Sequence, residues 1–264
     1  MKATLSVVSH GHGPLLQALL RDLCRQDGIA DCDVVVTLNL ATEVLEVAEY
    51  PQLAITVLRN AEPKGFGANH NAAFLHCRSP WFVVVNPDIR LPDATAVARL
   101  LRFSSDRPSS ADTPAVEAGV RVGLRAPVVT NSAGQREDSV RAHLTPLSLL
   151  RRACAKQRVP LRPARPAVKG VPFFWLAGMF MAIRSDAFRE VGGFDERFFL
   201  YCEDYDLCAR LYLTGHGVVL DDTVSVVHDA QRDSHRSGKH LRWHLESLFK
   251  VWTSRAFWRV CWHG

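Results

Sequence analysis

The chain has 264 residues and a mass of 29.4 kDa, with 32 Lys+Arg against 27 Asp+Glu for a formal net charge of +5. That length suits one large domain or two small ones, and a composition of 47% hydrophobic and 22% charged residues excludes a disordered, collagen-like or coiled-coil chain. No apolar run reaches the roughly 18 residues that span a bilayer; the longest, Phe173–Ile183, reads as a buried element.

In chain order, Ala3–Ser9 is a β-rich run that stops at Gly11 and Gly13. It lacks the sustained apolar core and cleavage site of a signal peptide, so export is not expected. Leu15, Leu16, Leu19, Leu20 and Leu23 then recur at helical spacing through Cys24. Asp33–Leu38 is a continuous apolar run, as in a parallel strand buried on both faces. A short helix over Glu43–Ala48 and a strand over Leu53–Leu58 follow, then the glycine-punctuated stretch NAEPKGFGANHNAAF, helical at its end toward Cys77. Trp81–Val85 is a fourth buried strand, ending at Asn86-Pro87-Asp88. Such alternation predicts an α/β fold with a mainly parallel sheet, whose ligands bind beyond the carboxyl ends of the strands.

Two stretches, Ser104–Gly119 and Arg151–Lys169, read as surface loops; the second carries seven basic residues and no acid. After the apolar run from Phe173, helices are predicted over Ser185–Val191 and Glu203–Thr214, with a Gly192-Gly193 turn between them. Gly215–Leu220 and Ser225–Val227 read as short strands. From about Ser234 a terminal helix places Leu241, Leu245, Leu248, Phe249, Trp252 and Ala256 on one stripe. The seven cysteines (24, 32, 77, 154, 202, 208 and 261) are scattered without a CxxC pair, which fits free thiols in a reducing compartment.

Three segments carry chemistry. Asp88, just past a buried strand, can hold Mg²⁺ or Mn²⁺ together with substrate phosphates; the alternative is an Asx turn that closes the strand. In Asn60–Asn71, Gly65 and Gly67 permit a close backbone approach, and Asn69 and Asn71 offer amides near a helix start. Such a loop can seat an anionic or nucleotide ligand or be a simple turn, and it is not the GxGxxG fingerprint. In Phe194–Cys208, Glu203 and Asp204 follow the apolar FFLY, where an apolar wall raises a carboxyl pKa and suits it to general base work. A solvated helix start is the alternative reading.

In this order the three segments resemble family 2 of the glycosyltransferases. The resemblance runs from about Leu5 to His228 through an N-x-x-x-x-G-F-G-x-x-x-N loop (Asn60, Gly65, Phe66, Gly67, Asn71), NPD after WFVVV, and GGFDERFFLYCEDYDLCARL. Within the family it is most similar to bacterial rhamnosyltransferase-type enzymes of surface-polysaccharide assembly. It implies a GT-A, Rossmann-like α/β fold with a mixed, mainly parallel sheet flanked by helices. The implied division is residues 1–233 as the catalytic domain, with a nucleotide-sugar half (1–103) and an acceptor half (120–233), followed by a helix over 234–264.

The resemblance also implies site roles. Asn86 and Asp88 occupy the DxD place, with Asp88 at the metal and diphosphate; Asn86 departs from the pattern. Asp204, paired with Glu203, matches the base that deprotonates an acceptor hydroxyl for inverting attack on C1 of a nucleotide-diphosphate sugar. Lys64 and nearby N–H groups would steady the leaving diphosphate, and His228, beside Asp229, would be a further ligand for Mg²⁺ or Mn²⁺. Ser9 and Asn39 stand where relatives read the nucleobase, with Glu43 a substitute; Trp175 and Asp195 are acceptor-side by position, Trp175 being equally a core aromatic.

Residues 232–264 hold seven Lys/Arg against two acids, with Trp243, Trp252, Trp258, Trp262 and His240, His244, His263 interleaved. This helix suits an anionic membrane surface near a lipid-linked acceptor, or packing on the domain or on a second copy in a homodimer; no nucleic-acid module accompanies the charge. The expected place is the cytoplasm, free or peripheral on the inner face of the membrane. Competing functions are a sugar nucleotidyltransferase, which would need a basic loop near the first strand that Ser9–Pro14 lacks, and a degenerate glycan-binding or scaffold member.

Overall fold

Strand-forming runs account for most of the core. In the computed structural model, which describes residues 2–102, 121–147, 149, 173–228 and 238–263, the first three runs are β1 (Ala3–Ser9), β2 (Asp33–Leu38) and β3 (Ala54–Arg59), with α1 (Gly13–Cys24) between β1 and β2. Then come α2 (Phe66–Phe74), β4 (Trp81–Val85), β5 (Ile89–Arg90), α3 (Ala96–Leu101) and β6 (Arg121–Thr130). The second half contains β7 (Val140–Ala142), β8 (Phe174–Leu176), β9 (Phe180–Arg184), α4 (Ser185–Glu190), α5 (Glu203–Leu213), β10 (His216–His228), α6 (Gly238–Trp252) and α7 (Arg255–His263). The loop readings at 104–119 and 151–169 and the helix start at Ser234 lie outside the described residues.

Eight strands form one sheet in the order β3-β2-β1-β4-β9-β6-β10-β5, and β7 pairs with β8 in a small second sheet. Strands β3, β2, β1 and β4 are parallel neighbours, as are β6 and β10, while β9 runs antiparallel between β4 and β6. This is the expected α/β layout with a mixed, mainly parallel sheet. The apolar runs are continuous because both faces of the sheet are covered. Phe82 and Val84 join one core with Phe188, Phe194 and Leu207, whereas Val83 and Val85 join the other with Leu16, Leu20 and Leu100.

Four expectations change. Glu43–Ala48 is irregular, with only a short 3₁₀ turn at Val47–Glu49. The Glu43 carboxylate bonds Ser9 Oγ and the Leu40 N–H while its carbonyl accepts from Arg59, which holds a loop and not a helix. The apolar run Phe173–Ile183 is two strands in different sheets, because it reverses at Gly178. The two strands predicted over 215–227 are one, β10, which absorbs a register shift between Asp221 and Ser225. The terminal helix breaks at Thr253–Ser254, and its buried face is Ser247, Leu248 and Val251, leaving Leu241, Leu245 and Phe249 58–67% exposed. The six described cysteines are unbridged. No helix among the described residues is long and apolar enough to cross a membrane.

Candidate active site

The carboxyl ends of the parallel strands β1 to β4 gather the first group. Asn39, just past β2, accepts at Oδ1 from the Lys64 N–H (2.9 Å) and from Asn60 Nδ2 (2.8 Å), and donates Nδ2 to the Lys64 carbonyl (3.0 Å). Asn60 Nδ2 also reaches Asn69 Oδ1 at 2.7 Å, and Asn69 Nδ2 donates to the Lys64 and Gly65 carbonyls. Three asparagines thus bind one another and the backbone of the loop before α2. Asn69 and Asn39 are buried, and the Lys64 side chain projects to solvent. Ser9 is buried with its hydroxyl on Glu43.

The glycines of this loop meet the protein itself. A Cβ on Gly65 would lie 2.7 Å from the Phe199 carbonyl oxygen, and one on Gly67 2.7 Å from Phe194 Cβ. The Phe66 N–H bonds that same Phe199 oxygen at 2.9 Å. Asn71 accepts from the Phe194 N–H and donates to the Phe194 carbonyl and to Glu196. The G-F-G-x-x-x-N pattern therefore clamps α2 onto the segment leading to the acid pair.

That segment enters α5 through two non-glycine residues with positive φ, Tyr201 (73°) and Cys202 (65°). The next residues are Glu203 and Asp204. Asp204 accepts from the Gly178 N–H at Oδ2 (3.0 Å) and from the Tyr205 N–H at Oδ1 (2.8 Å). It is half-buried, while Glu203 is 5% exposed with Oε2 unpartnered. Burial raises the Asp204 pKa against the opposing pull of the Arg141 cation and the two N–H donors. Burial and then the Asp204 charge push the Glu203 pKa well above the usual carboxylate range. Arg141, on β7, lies over the Trp175 ring at 5.0 Å and pairs with Asp138.

A third group forms because β10 and β5 pair with His228 opposite Ile89, which sets the imidazole beside Asp88. His228 Nε2 is 3.1 Å from Asp88 Oδ2 and Nδ1 is 2.6 Å from Glu137 Oε2. Burial alone would lower the His228 pKa, but hydrogen bonds and charge from Asp88 and Glu137 outweigh it and push it up to about 9. Asp88 Oδ1 is buried without a partner, a free oxygen donor for a cation. Asn86, just past β4, takes the Met179 carbonyl through its N–H and turns the chain by accepting from Ile89. Among the described residues no group of three or more His, Cys, Asp or Glu side chains is placed to hold a metal ion. Asp88 and His228 offer an oxygen and a nitrogen donor, and a hard cation commonly takes the rest of its shell from phosphates and water.

Trp175 and Asp195 are the two acceptor-side candidates. Trp175 is 2% exposed in the core, its indole N–H on the Ala142 carbonyl. Asp195 is held by the Arg197 guanidinium, which keeps its pKa low against the opposing effect of burial. It lines an open cavity of about 520 Å³ with Arg210, Arg255 and Arg259. Sequence reasoning missed Glu137, Arg141 and the role of Gly178. Glu137 had a signal: the turn-forming Asn131-Ser-Ala-Gly-Gln directly follows a buried strand and precedes a carboxylate.

A model of "Glycosyltransferase like family 2" matches residues 2–244. The N-acetylglucosaminyl-diphospho-decaprenol L-rhamnosyltransferase of Mycobacterium tuberculosis is 30% identical over 193 residues, 68% of this chain and 58% of that protein. Rhamnosyltransferase WbbL of Escherichia coli K12 is 43% identical over 77 residues, 29% of each chain. The chain thus spans about a third to three fifths of these relatives. Among solved structures, Staphylococcus aureus TarS 1–349 with UDP-GlcNAc superposes at a TM-score of 0.63 and 14% identity, over 90% of this chain and 61% of that one. Mannosyltransferase PcManGT of Pyrobaculum calidifontis with GDP-Man and Mn²⁺ gives 0.59 at 17% identity, over 88% and 58%. The chain belongs to glycosyltransferase family 2 and has the GT-A fold.

Proposed function

We propose that the protein is an inverting transferase that moves a sugar, rhamnose in the first instance, from a nucleotide-diphosphate donor to a saccharide or lipid-linked acceptor. The observation that carries this is the Glu203–Asp204 pair, in which Glu203 is buried and the half-buried Asp204 has its orientation set by two backbone N–H groups. The names of the rhamnosyltransferase relatives support the sugar, and the diphospho-decaprenol substrate in one of them supports the lipid-linked acceptor.

Asp204 takes the proton of the acceptor hydroxyl as its oxygen attacks C1 of the donor sugar from the side opposite the departing diphosphate, which inverts that centre. A raised pKa makes Asp204 a stronger base than an exposed carboxylate. The Gly178 and Tyr205 N–H groups hold the carboxylate in place beside the buried Glu203. Asp88 and His228 would hold Mg²⁺ or Mn²⁺, which supplies positive charge to the leaving diphosphate. Lys64, free to swing from its pinned backbone, and the loop around Gly65–Gly67 complete the donor side. Asp204→Asn tests the assignment. Turnover of nucleotide-diphosphate rhamnose is expected to fall by roughly 10²–10⁴ with the circular dichroism unchanged, and undiminished turnover overturns the base assignment.

The terminal helices support a peripheral membrane contact. Leu241, Leu245, Phe249, Trp258 and Trp262 are 56–85% exposed, and Arg255 and Arg259 carry no acidic partner among the described residues. Basic and aromatic faces of this kind bind anionic bilayers. Replacing Phe249, Trp258 and Trp262 by serine should abolish flotation with anionic liposomes. Unchanged flotation rejects the contact, and a dimer in wild type that the triple variant loses assigns the face to a second copy.

A further inference from the structure

We propose that Glu137 is a positioning residue for the cation site. It fixes, through Nδ1 of His228, the ring plane and tautomer that present Nε2 toward Asp88. This rests on the reading of Asp88 and His228 as cation ligands.

Three observations carry it. First, the Glu137 carboxylate sits 2.6 Å from His228 Nδ1, on the side of the ring away from Asp88, and has no lysine or arginine partner among the described residues. Its neighbour Asp138 takes Arg141 instead. Second, the backbone that carries Glu137 is pinned on both sides. The turn after β6 closes with Asn131 N–H to the Gln135 carbonyl (2.8 Å) and Gly134 N–H to the Asn131 carbonyl (2.9 Å), and Asn131 Oδ1 accepts from the Ala133 and Gln135 N–H groups. Gly134 takes the φ of +74° that the turn requires. The Glu137 N–H then bonds the Val129 carbonyl (2.8 Å), and the Glu137 carbonyl accepts from Ser139 (2.9 Å). Because β6 and β10 are parallel with Thr130 opposite Val227, this turn delivers its carboxylate next to the end of β10, where His228 stands. Third, two carboxylates flank one imidazole, and Asp88 Oδ1 is left buried and unpartnered.

A histidine that binds a metal through one ring nitrogen needs a hydrogen-bond acceptor on the other to hold the tautomer and raise the ligand's basicity, and loss of such a partner weakens metal affinity by roughly 10–100-fold. Glu137 is placed to be that acceptor.

The test is Mn²⁺ affinity of the full chain, read from the electron paramagnetic resonance signal of free Mn²⁺, for wild type, Glu137→Gln, Glu137→Asp and Asp88→Asn. Melting in EDTA reports folding independently of the metal. Glu137→Gln is expected to melt normally and bind Mn²⁺ roughly 10–100-fold more weakly, with Glu137→Asp between it and wild type. If the Gln variant melts low, the Asp variant, which keeps the charge, decides by the same measure. Affinity in Glu137→Gln within twofold of wild type, while Asp88→Asn loses binding, overturns the role of Glu137 and leaves the cation site standing. Equal affinity in Asp88→Asn and wild type overturns the cation site and this proposal together.

Discussion

Replacing Gly65 by alanine adds one methyl group where two halves of the site meet. Gly65 has φ −65° and ψ 163°, so an alanine fits its backbone and any cost comes from contact alone. The new Cβ would stand 2.7 Å from the Phe199 oxygen, 2.9 Å from Phe199 Cα and 3.2 Å from the Phe198 oxygen. All three are backbone atoms, so no side-chain rotation relieves them. To reach ordinary contact at 3.4 Å the Phe199 carbonyl must retreat by about 0.7 Å. That carries its bond with the Phe66 N–H from 2.9 Å to about 3.6 Å, beyond hydrogen-bonding range. Overpacking of this kind costs about 1–3 kcal/mol and the lost bond about 1 kcal/mol more. The smaller entropy of an unfolded alanine offsets about 0.5 kcal/mol of this. A net loss of about 1.5–3.5 kcal/mol lowers the melting temperature by roughly 3–14 °C for a chain of this size. Turnover should fall as well, because Phe199 lies four residues before Glu203. Gly13→Ala is the control, since a Cβ there meets nothing within 4 Å. Thermal melts and turnover are measured on both. A Gly65→Ala protein that melts with the Gly13→Ala control and turns over like wild type refutes the clamp.

Arg141 holds down the pKa that burial raises at Asp204; Arg141→Gln should therefore move the acidic limb of the turnover–pH profile to higher pH, and an unmoved limb means that Arg141 does not act on the base. His70 is fully buried, and burial lowers its pKa from 6.5 to about 3. The unfolded chain then takes up the proton first, so stability present above pH 6.5 is lost as pH falls toward 3, by about 2 kcal/mol at pH 5. In urea denaturation His70→Gln should lose about 2 kcal/mol less than wild type between pH 7 and pH 5, and equal losses would exclude His70 as the source.

The parts of the site visible in the sequence are those that a single segment carries. Asp88 at the end of an apolar strand and Asp204 after FFLY are local patterns, and the fold puts the first just past β4 and the second in the first turn of α5. The close approach at Gly65 and Gly67 was also visible, but not what approaches. The Asn71–Phe194 bonds cross 123 residues, and spacing within one loop contains no trace of a partner so distant. Glu137 was missed for a related reason. Its place beside His228 follows from the register of β6 on β10, a property of two strands together. The terminal helix misled through its composition. Apolar residues cover more than half of its circumference, so one stripe could be drawn through Leu241, Leu245 and Phe249 although the packed face runs through Leu248 and Val251. A break at Thr253–Ser254, where Ser254 Oγ caps the Phe257 N–H, then turns the remaining residues into a separate helix.

The same helix bears on how the acid pair is maintained. Positive φ at Tyr201 and Cys202 costs about 1–3 kcal/mol at each residue and persists only where the surroundings impose it. On one side Gly65 and Phe66 hold Phe199. On the other, α6 supplies Ser247, whose hydroxyl donates to the Leu200 carbonyl (2.9 Å), Lys250, whose ammonium donates to the Arg197 carbonyl (2.6 Å), and His240, hydrogen-bonded to Tyr201 Oη at 2.8 Å. Residues 197–201 are therefore held between α2 and α6, and the strain that aims Glu203 and Asp204 is sustained from both. A chain cut near Ser234 would lose these three bonds together with any membrane contact, and reduced turnover in it would not separate the two. Ser247→Ala separates them. It removes one bond to Leu200 from a side chain 2% exposed, at a cost of about 1 kcal/mol, while the exposed Leu, Phe and Trp side chains stay in place. Turnover on a soluble acceptor should drop with liposome flotation unchanged, and full turnover in a folded Ser247→Ala protein would show that α6 does not support the acid pair.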